Sequence, residues 1–218
     1  MVMVFALLCL AQQPEVPGLG ASAETLSLRT LAGAPMPLAE IATASPLLLV
    51  MLPDTGTSAL CKSLSQVATL PTTSPMQRLA VVADAAALGS CAATGRVAIA
   101  KARADLRLPA TVTAMVVDDS LHVRLLLTLA PDSTGWETLR AKLAQWFQGR
   151  QTYEANCGHC HGFDGAQASS PETKSLVGIT RKYPETKVLE LGAQFGGVDM
   201  TGWSEAKKET LLSYLRGL

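Results

Sequence analysis

The sequence predicts an α/β domain, a mixed sheet with flanking helices, followed by a small all-α domain. Three observations carry this reading. Short apolar runs bounded by turn residues alternate with helically spaced stretches over the first two thirds of the chain, and the last two runs make a hairpin. Beyond Gly149 no strand-like run remains. At the head of that last third stands Cys157-Gly158-His159-Cys160-His161, whose residue types and spacing commit it to a particular chemistry.

The elements follow in order. Residues 1–11 read as a signal segment: Met1 to Leu10 is apolar throughout, yet shorter than the ~20 residues that span a bilayer. Cys9-Leu10-Ala11 offers a cleavage site. The usual positive charge is missing, since the first basic side chain is Arg29, and this raises the expectation of a true start upstream. A buried first strand and an uncleaved anchor are the alternatives. Residues 12–25, with the Pro- and Gly-rich stretch Pro14 to Gly20, read as a linker.

Leu26-Ser27-Leu28 and Leu31-Ala32-Gly33 suggest a short strand and a turn. Leu47 to Leu52, six apolar residues between Pro46 and Pro53, fit a strand buried on both faces. Leu60, Leu64, Val67 and Ala68 recur at helical spacing. Leu79 to Ala83 and Val97 to Ala100 are further buried strands. Val112 to Val117 and Leu121 to Leu129 flank the turn residues Asp118-Asp119-Ser120 as a hairpin. Thr134 with Glu137 suggests a capping box, and Trp136, Leu139, Leu143, Trp146 and Phe147 share the face of a helix that Gly149 closes. The tryptophan stripe reads as core, and His122 as a solvent-facing strand histidine.

The chain has 218 residues, of which 48% are hydrophobic, enough for two small cores. Eighteen basic side chains balance eighteen acidic ones. From Arg150 onward the count is eight of each, so neither part has the basic excess of a nucleic-acid binder.

A Cys-x-x-Cys pair serves zinc sites and thiol redox pairs as well as haem. There is no second cysteine pair and no later histidine to complete a zinc site, and no apolar strand delivers the motif as it would a redox pair. Histidine directly after the second cysteine fits a c-type haem: Cys157 and Cys160 each add across a vinyl group, and His161 is held under the iron.

With Gly149 to Asn156 before it, Gly162-Phe163-Asp164-Gly165 after it, and the closing Leu211 to Arg216, the motif resembles the small class I cytochrome c family over the last third of the chain. The resemblance implies a cytochrome c domain over residues 149–218 with one covalent haem c, its iron held by His161 and by a methionine, for which Met200 is the only candidate after His161. It further implies a loop carbonyl orienting His161, with Pro171 the nearest match, and a capped last helix beginning at Ser204. Tyr153, Tyr183 and Trp203 stand between ordinary packing and contact with haem propionates.

Residues 26–148 resemble the thioredoxin fold, in its thioredoxin-like and peroxiredoxin-like branches, through the order of runs and the entry Leu28 to Ile41. In active members the attacking cysteine sits where the helix after the central strand begins, because free amides there lower its pKa. In Ser58-Ala59-Leu60-Cys61 serine takes the first place of a redox pair. Ser58 and Cys61 also satisfy the peroxiredoxin spacing of Thr or Ser three residues before the reactive cysteine, but Pro53 stands one place too far ahead and Pro109 too early. The expectation is a degenerate, redox-inactive thiol site. Cys91 follows the second strand, where some family members carry a resolving cysteine, so Cys61 and Cys91 are the weak catalytic candidates, as a disulfide or as two buried thiols.

The expected function is single-electron transfer by an extracytoplasmic, periplasmic c-type cytochrome, with the first domain serving docking or assembly. Its partners would be redox proteins, a membrane-bound respiratory or photosynthetic complex among them, with no nucleic acid and no small-molecule substrate at the iron. The alternative is a haem-coupled thiol oxidoreductase or peroxidase that uses Cys61 and Cys91; a third reading makes the haem structural in an accessory subunit.

Overall fold

The computed structural model describes residues 16–218 except 43–44, 55, 71–75, 84–85, 89–90, 92–97, 103–105, 107, 131, 168 and 171–172. The expected signal segment lies outside the described residues. In chain order the elements are β1 (Leu28–Arg29), β2 (Pro35–Met36), α1 (Leu38–Ile41), β3 (Leu47–Met51), α2 (Thr57–Ala68), β4 (Gln77–Val82), a 3-10 turn (Ala86–Leu88), β5 (Ala98–Ala102), β6 (Thr113–Val117), β7 (Val123–Thr128), α3 (Ser133–Asn156), α4 (Gly158–His161), α5 (Ile179–Lys182), α6 (Glu185–Phe195) and α7 (Glu205–Leu215). Among the described residues no helix is long and apolar enough to cross a membrane.

One seven-stranded sheet runs in the order β2-β1-β5-β4-β3-β6-β7. β3 pairs parallel with β4, and β4 parallel with β5; β3 pairs antiparallel with β6, and β6 antiparallel with β7. A parallel β3-α2-β4 unit running on into an antiparallel hairpin and a helix is a thioredoxin-like α/β fold, as the sequence led us to expect.

The continuous apolar run of β3 follows from its place in the sheet. Alternate residues point to opposite faces. Leu48 and Val50 join Leu60, Leu64 and Val67 of α2 and Trp136, Leu139 and Leu143 of α3. Leu47, Leu49 and Met51 meet Ala23, Leu26, Leu38 and Leu121 on the other side. Each fully buried side chain of this size contributes about 1.5–3 kcal/mol, and all five β3 residues are buried.

Four local expectations are corrected. Residues 20–23 do not act as a free linker: Gly20 N–H donates to the Val123 carbonyl and Ala23 N–H to that of Leu121, and Ala23 is wholly buried. The cap of α3 is Asp132, whose Oδ1 accepts from Gly135 N–H and from the Thr134 hydroxyl; a carboxylate two residues earlier outcompetes the Thr134–Glu137 box. Gly149 closes nothing, because α3 runs on through it to Asn156. His122 is half-buried at the hairpin turn, bridged to Ser22, with its Nδ1 buried and unpaired, and does not face solvent on a strand.

The reason Gly149 sits inside the helix is the crossing of α7. A Cβ there would overlap the Thr210 carbonyl oxygen and lie 3.0 Å from Cβ of Tyr214. Only glycine lets the two backbones approach so closely. Leu211, Leu212, Tyr214 and Leu215 of α7 are buried in the same continuous core as Trp146 and Phe147. Buried Arg124 of β7 completes the union: its Nε donates to Asp118 and its Nη1 to the Gly217 carbonyl, at 3.0 Å.

Candidate redox sites

Cys61 and Cys91 are joined by a disulfide, with Cα atoms 5.1 Å apart and a sequence separation of 30. The sheet brings them together: α2 leaves the end of β3, and the turn after β4 returns Cys91 to the same end, where parallel neighbouring strands both terminate. Cys91 is buried and Cys61 half-exposed, so Cys61 is the sulfur an incoming thiolate reaches first. Thr57 opens α2, which puts Cys61 more than one turn inside the helix, where its amide is already bonded and cannot serve a thiolate. Arg78 is spent on the carbonyls of Val67, Ala68 and Leu70, and Arg140 on Gln66 and Thr69, at the other end of α2. Ser58, three residues before Cys61, is exposed.

The second site lies where α3 ends. The Cys157 N–H still bonds the Tyr153 carbonyl, and α4 carries Cys160 and His161 on from it. Cys157 is half-buried with its pKa pushed up to about 11, chiefly by burial and then by Cys160; Cys160 is exposed. Desolvation holds the His161 pKa below its ordinary value, opposed by the Lys174 carbonyl, and the Nδ1 of the ring is buried without a hydrogen-bond partner. Pro171, which the sequence suggested as the source of an orienting carbonyl, lies outside the described residues. Among the described residues no group of three or more His, Cys, Asp or Glu side chains could hold a bare metal ion.

Met200 is half-buried, and a Cβ at Gly192 would come within 2.9 Å of its methyl carbon, so the bare backbone of α6 gives the thioether its seat. Leu176, Ile179, Leu189 and Trp203 are likewise half-buried against the core. Val177 and Phe163 are exposed, and Lys207 stacks 3.9 Å over the Trp203 ring. Ser204 caps α7 by accepting from Lys207 N–H. Cys157, Cys160, His161 and Met200, the residues the sequence assigns to a haem, are of the donor types such a group takes.

The two sites are far apart. Arg140 of α3 meets the end of α2 that lies away from Cys61. From Arg140, α3 continues for roughly 25 Å before Cys157, at about 1.5 Å per residue. The disulfide occupies one end of the sheet; the helical domain hangs from the other, beside the Asp118 hairpin.

No family model matches this sequence, and no curated protein does. Among solved structures the chain is similar to reduced Prx3 from Vibrio vulnificus in complex with hydrogen peroxide, at 18% identity and a TM-score of 0.46, covering 59% of this chain and 99% of that one. The bacterioferritin comigratory protein of Xanthomonas campestris gives 16% and 0.42, over 59% and 96%. A thiol peroxidase from Chromobacterium violaceum gives 16% and 0.43, over 61% and 89%. At such values the fold assignment rests on strand order and connections. Sequence reasoning missed Arg124 and Tyr214; neither belongs to a motif, and each matters through a partner distant in the chain, Gly217 and Phe163.

Proposed function

We propose that the chain is an extracytoplasmic redox protein whose thioredoxin-like domain exchanges disulfides through Cys61 and Cys91, while its helical domain carries one covalent haem. The observation that supports the thiol reading is the bond between Cys61 and Cys91 at the end of β3 and β4. A substrate thiolate attacks the Cys61 sulfur and the Cys91 thiolate leaves and takes a proton; the substrate's second thiolate then attacks the substrate sulfur of the mixed disulfide, releasing the oxidised substrate and the Cys61 thiolate, which takes a proton in turn. Two electrons pass from the substrate dithiol to the pair. Peroxide reduction fits less well, because it needs a stabilised Cys61 thiolate, and the interior of α2 supplies neither free amides nor an arginine among the partnered ones described.

A second reading keeps the helical domain as an electron carrier on its own account, favoured by the Met200 seat on Gly192 and the carbonyl-facing His161. Cys157 and Cys160 would hold the haem covalently, and His161 and Met200 would ligate its iron. When bound, haem would supply a single-electron couple. The distance between the sites makes the two activities separable, and the partners of the haem side would be one-electron redox proteins.

The test uses the exported full chain, assayed for dithiol–disulfide exchange and for peroxide reduction, with a reduced-minus-oxidised absorption spectrum. Exchange lost in Cys61→Ser with an unchanged haem spectrum is expected. Absence of exchange in the unmutated protein would remove the thiol reading and leave the carrier.

A further inference from the structure

Directly after His161 the chain reverses. Gly162 ends α4 with a φ of 68°, a backbone conformation natural to glycine, and the Phe163 side chain is 60% exposed, so it cannot anchor the turn. The anchors come from elsewhere. The Tyr153 hydroxyl of α3 donates to the Gly162 carbonyl at 2.8 Å, and the Tyr214 hydroxyl of α7 donates to the next carbonyl, Phe163, at 3.0 Å. The rings stack tilted with centroids 5.0 Å apart, and Tyr153 has no exposed surface. Two buried phenols therefore grip two consecutive peptide groups, one on each helix of the Gly149 crossing.

We propose that Tyr153 and Tyr214 are positioning residues for His161: they fix the turn that follows it and so set the angle at which the imidazole is presented to the iron. This rests on the haem reading. Burial raises the pKa of both phenols, that of Tyr214 to about 12, so both stay protonated donors across the working range of pH. The grip also links the α3–α7 crossing to the ligand, because a shift of either helix moves one of the two carbonyls. The bonds from the following loop, Gln167 N–H to the His161 carbonyl and Ser169 N–H to that of Cys160, leave the Gly162 and Phe163 carbonyls to the tyrosines.

The experiment compares haem-loaded full-length protein with Tyr153→Phe, Tyr214→Phe and Leu139→Ala. The last removes buried volume about 21 Å back along the same helix and serves as the control for lost stability alone. Amide hydrogen exchange at Gly162 and Gln167, whose N–H groups bond the Gly158 and His161 carbonyls, and the haem midpoint potential are read. Each phenylalanine variant should exchange about tenfold faster at the turn, the factor for one lost hydrogen bond, and its potential should move away from that of the unmutated protein. Leu139→Ala should lower the melting temperature and move neither. Tyrosine variants that melt earlier with unchanged exchange and potential would overturn the proposal. A parent protein without covalent haem would instead sink the haem reading on which the proposal stands, and is told apart at once by its spectrum.

Discussion

Gly149 lies so close to the Thr210 carbonyl that the α3–α7 crossing has no room for a methyl group. The atom in the way is backbone and cannot turn aside, so Gly149→Ala must push the helices apart. The expected loss is about 3 kcal/mol, the upper end for overpacking, read as a lower urea midpoint. An unchanged midpoint would show that the helices cross with slack.

The disulfide closes a loop with 30 residues of sequence separation. Loop-closure entropy puts its contribution at about 3–4 kcal/mol. Urea unfolding should therefore lose about that much in Cys61→Ser, in Cys91→Ser, or in the parent protein with reductant, and the double variant should lose no more than either single one. Additive losses would mean that the two sulfurs act separately.

Buried Arg124 holds Asp118 on one side and the Gly217 carbonyl on the other. Removing one partner of such a pair leaves an uncompensated charge, at a cost of about 3–5 kcal/mol. Asp118→Ala should cost that much and also free the hairpin, since Asp118 Oδ1 accepts from the Ser120 and His122 amides. A loss under about 1 kcal/mol, measured by chemical denaturation, would place the pair in water.

On the helical side, Cys157→Ala with Cys160→Ala should abolish covalent haem on denaturing gels, as both thioether links go. Met200→Ala should keep the covalent haem and let carbon monoxide bind the reduced form. Parent protein that already binds carbon monoxide readily would remove Met200 from the iron.

How much of this was legible depended on the range of the interaction. The apolar run of β3, the hairpin around Asp118 and the helical stripe from Trp136 to Phe147 are local periodicities, and the sheet and core follow them. The Cys-x-x-Cys-His spacing is local as well. Gly149 was read as a helix end because a cap glycine and a crossing glycine look alike without knowledge of Thr210, sixty-one residues on. Residues 20–23 were read as linker from composition, though their backbone pairs across about a hundred residues with the hairpin. The Cys61–Cys91 bond needed the turn after β4 to return to the end of β3, which no spacing discloses. Tyr153 lay between packing and haem contact in the sequence, and its hydroxyl on Gly162 resolves it as packing against the turn.

Because one helix of 24 residues belongs to both halves, α3 is a phase-setting shaft as much as a connector. Every residue added between Arg140 and Gly149 would advance the helical domain by about 1.5 Å and turn it by about 100° about the shaft, carrying Gly217 off Arg124. Four added residues nearly restore the angle but leave the domain about 6 Å further out. The dimensions of the joint therefore forbid length variation in a segment that sequence composition alone would allow to drift, and the two halves can be exchanged for others only with the shaft cut at a matching angle.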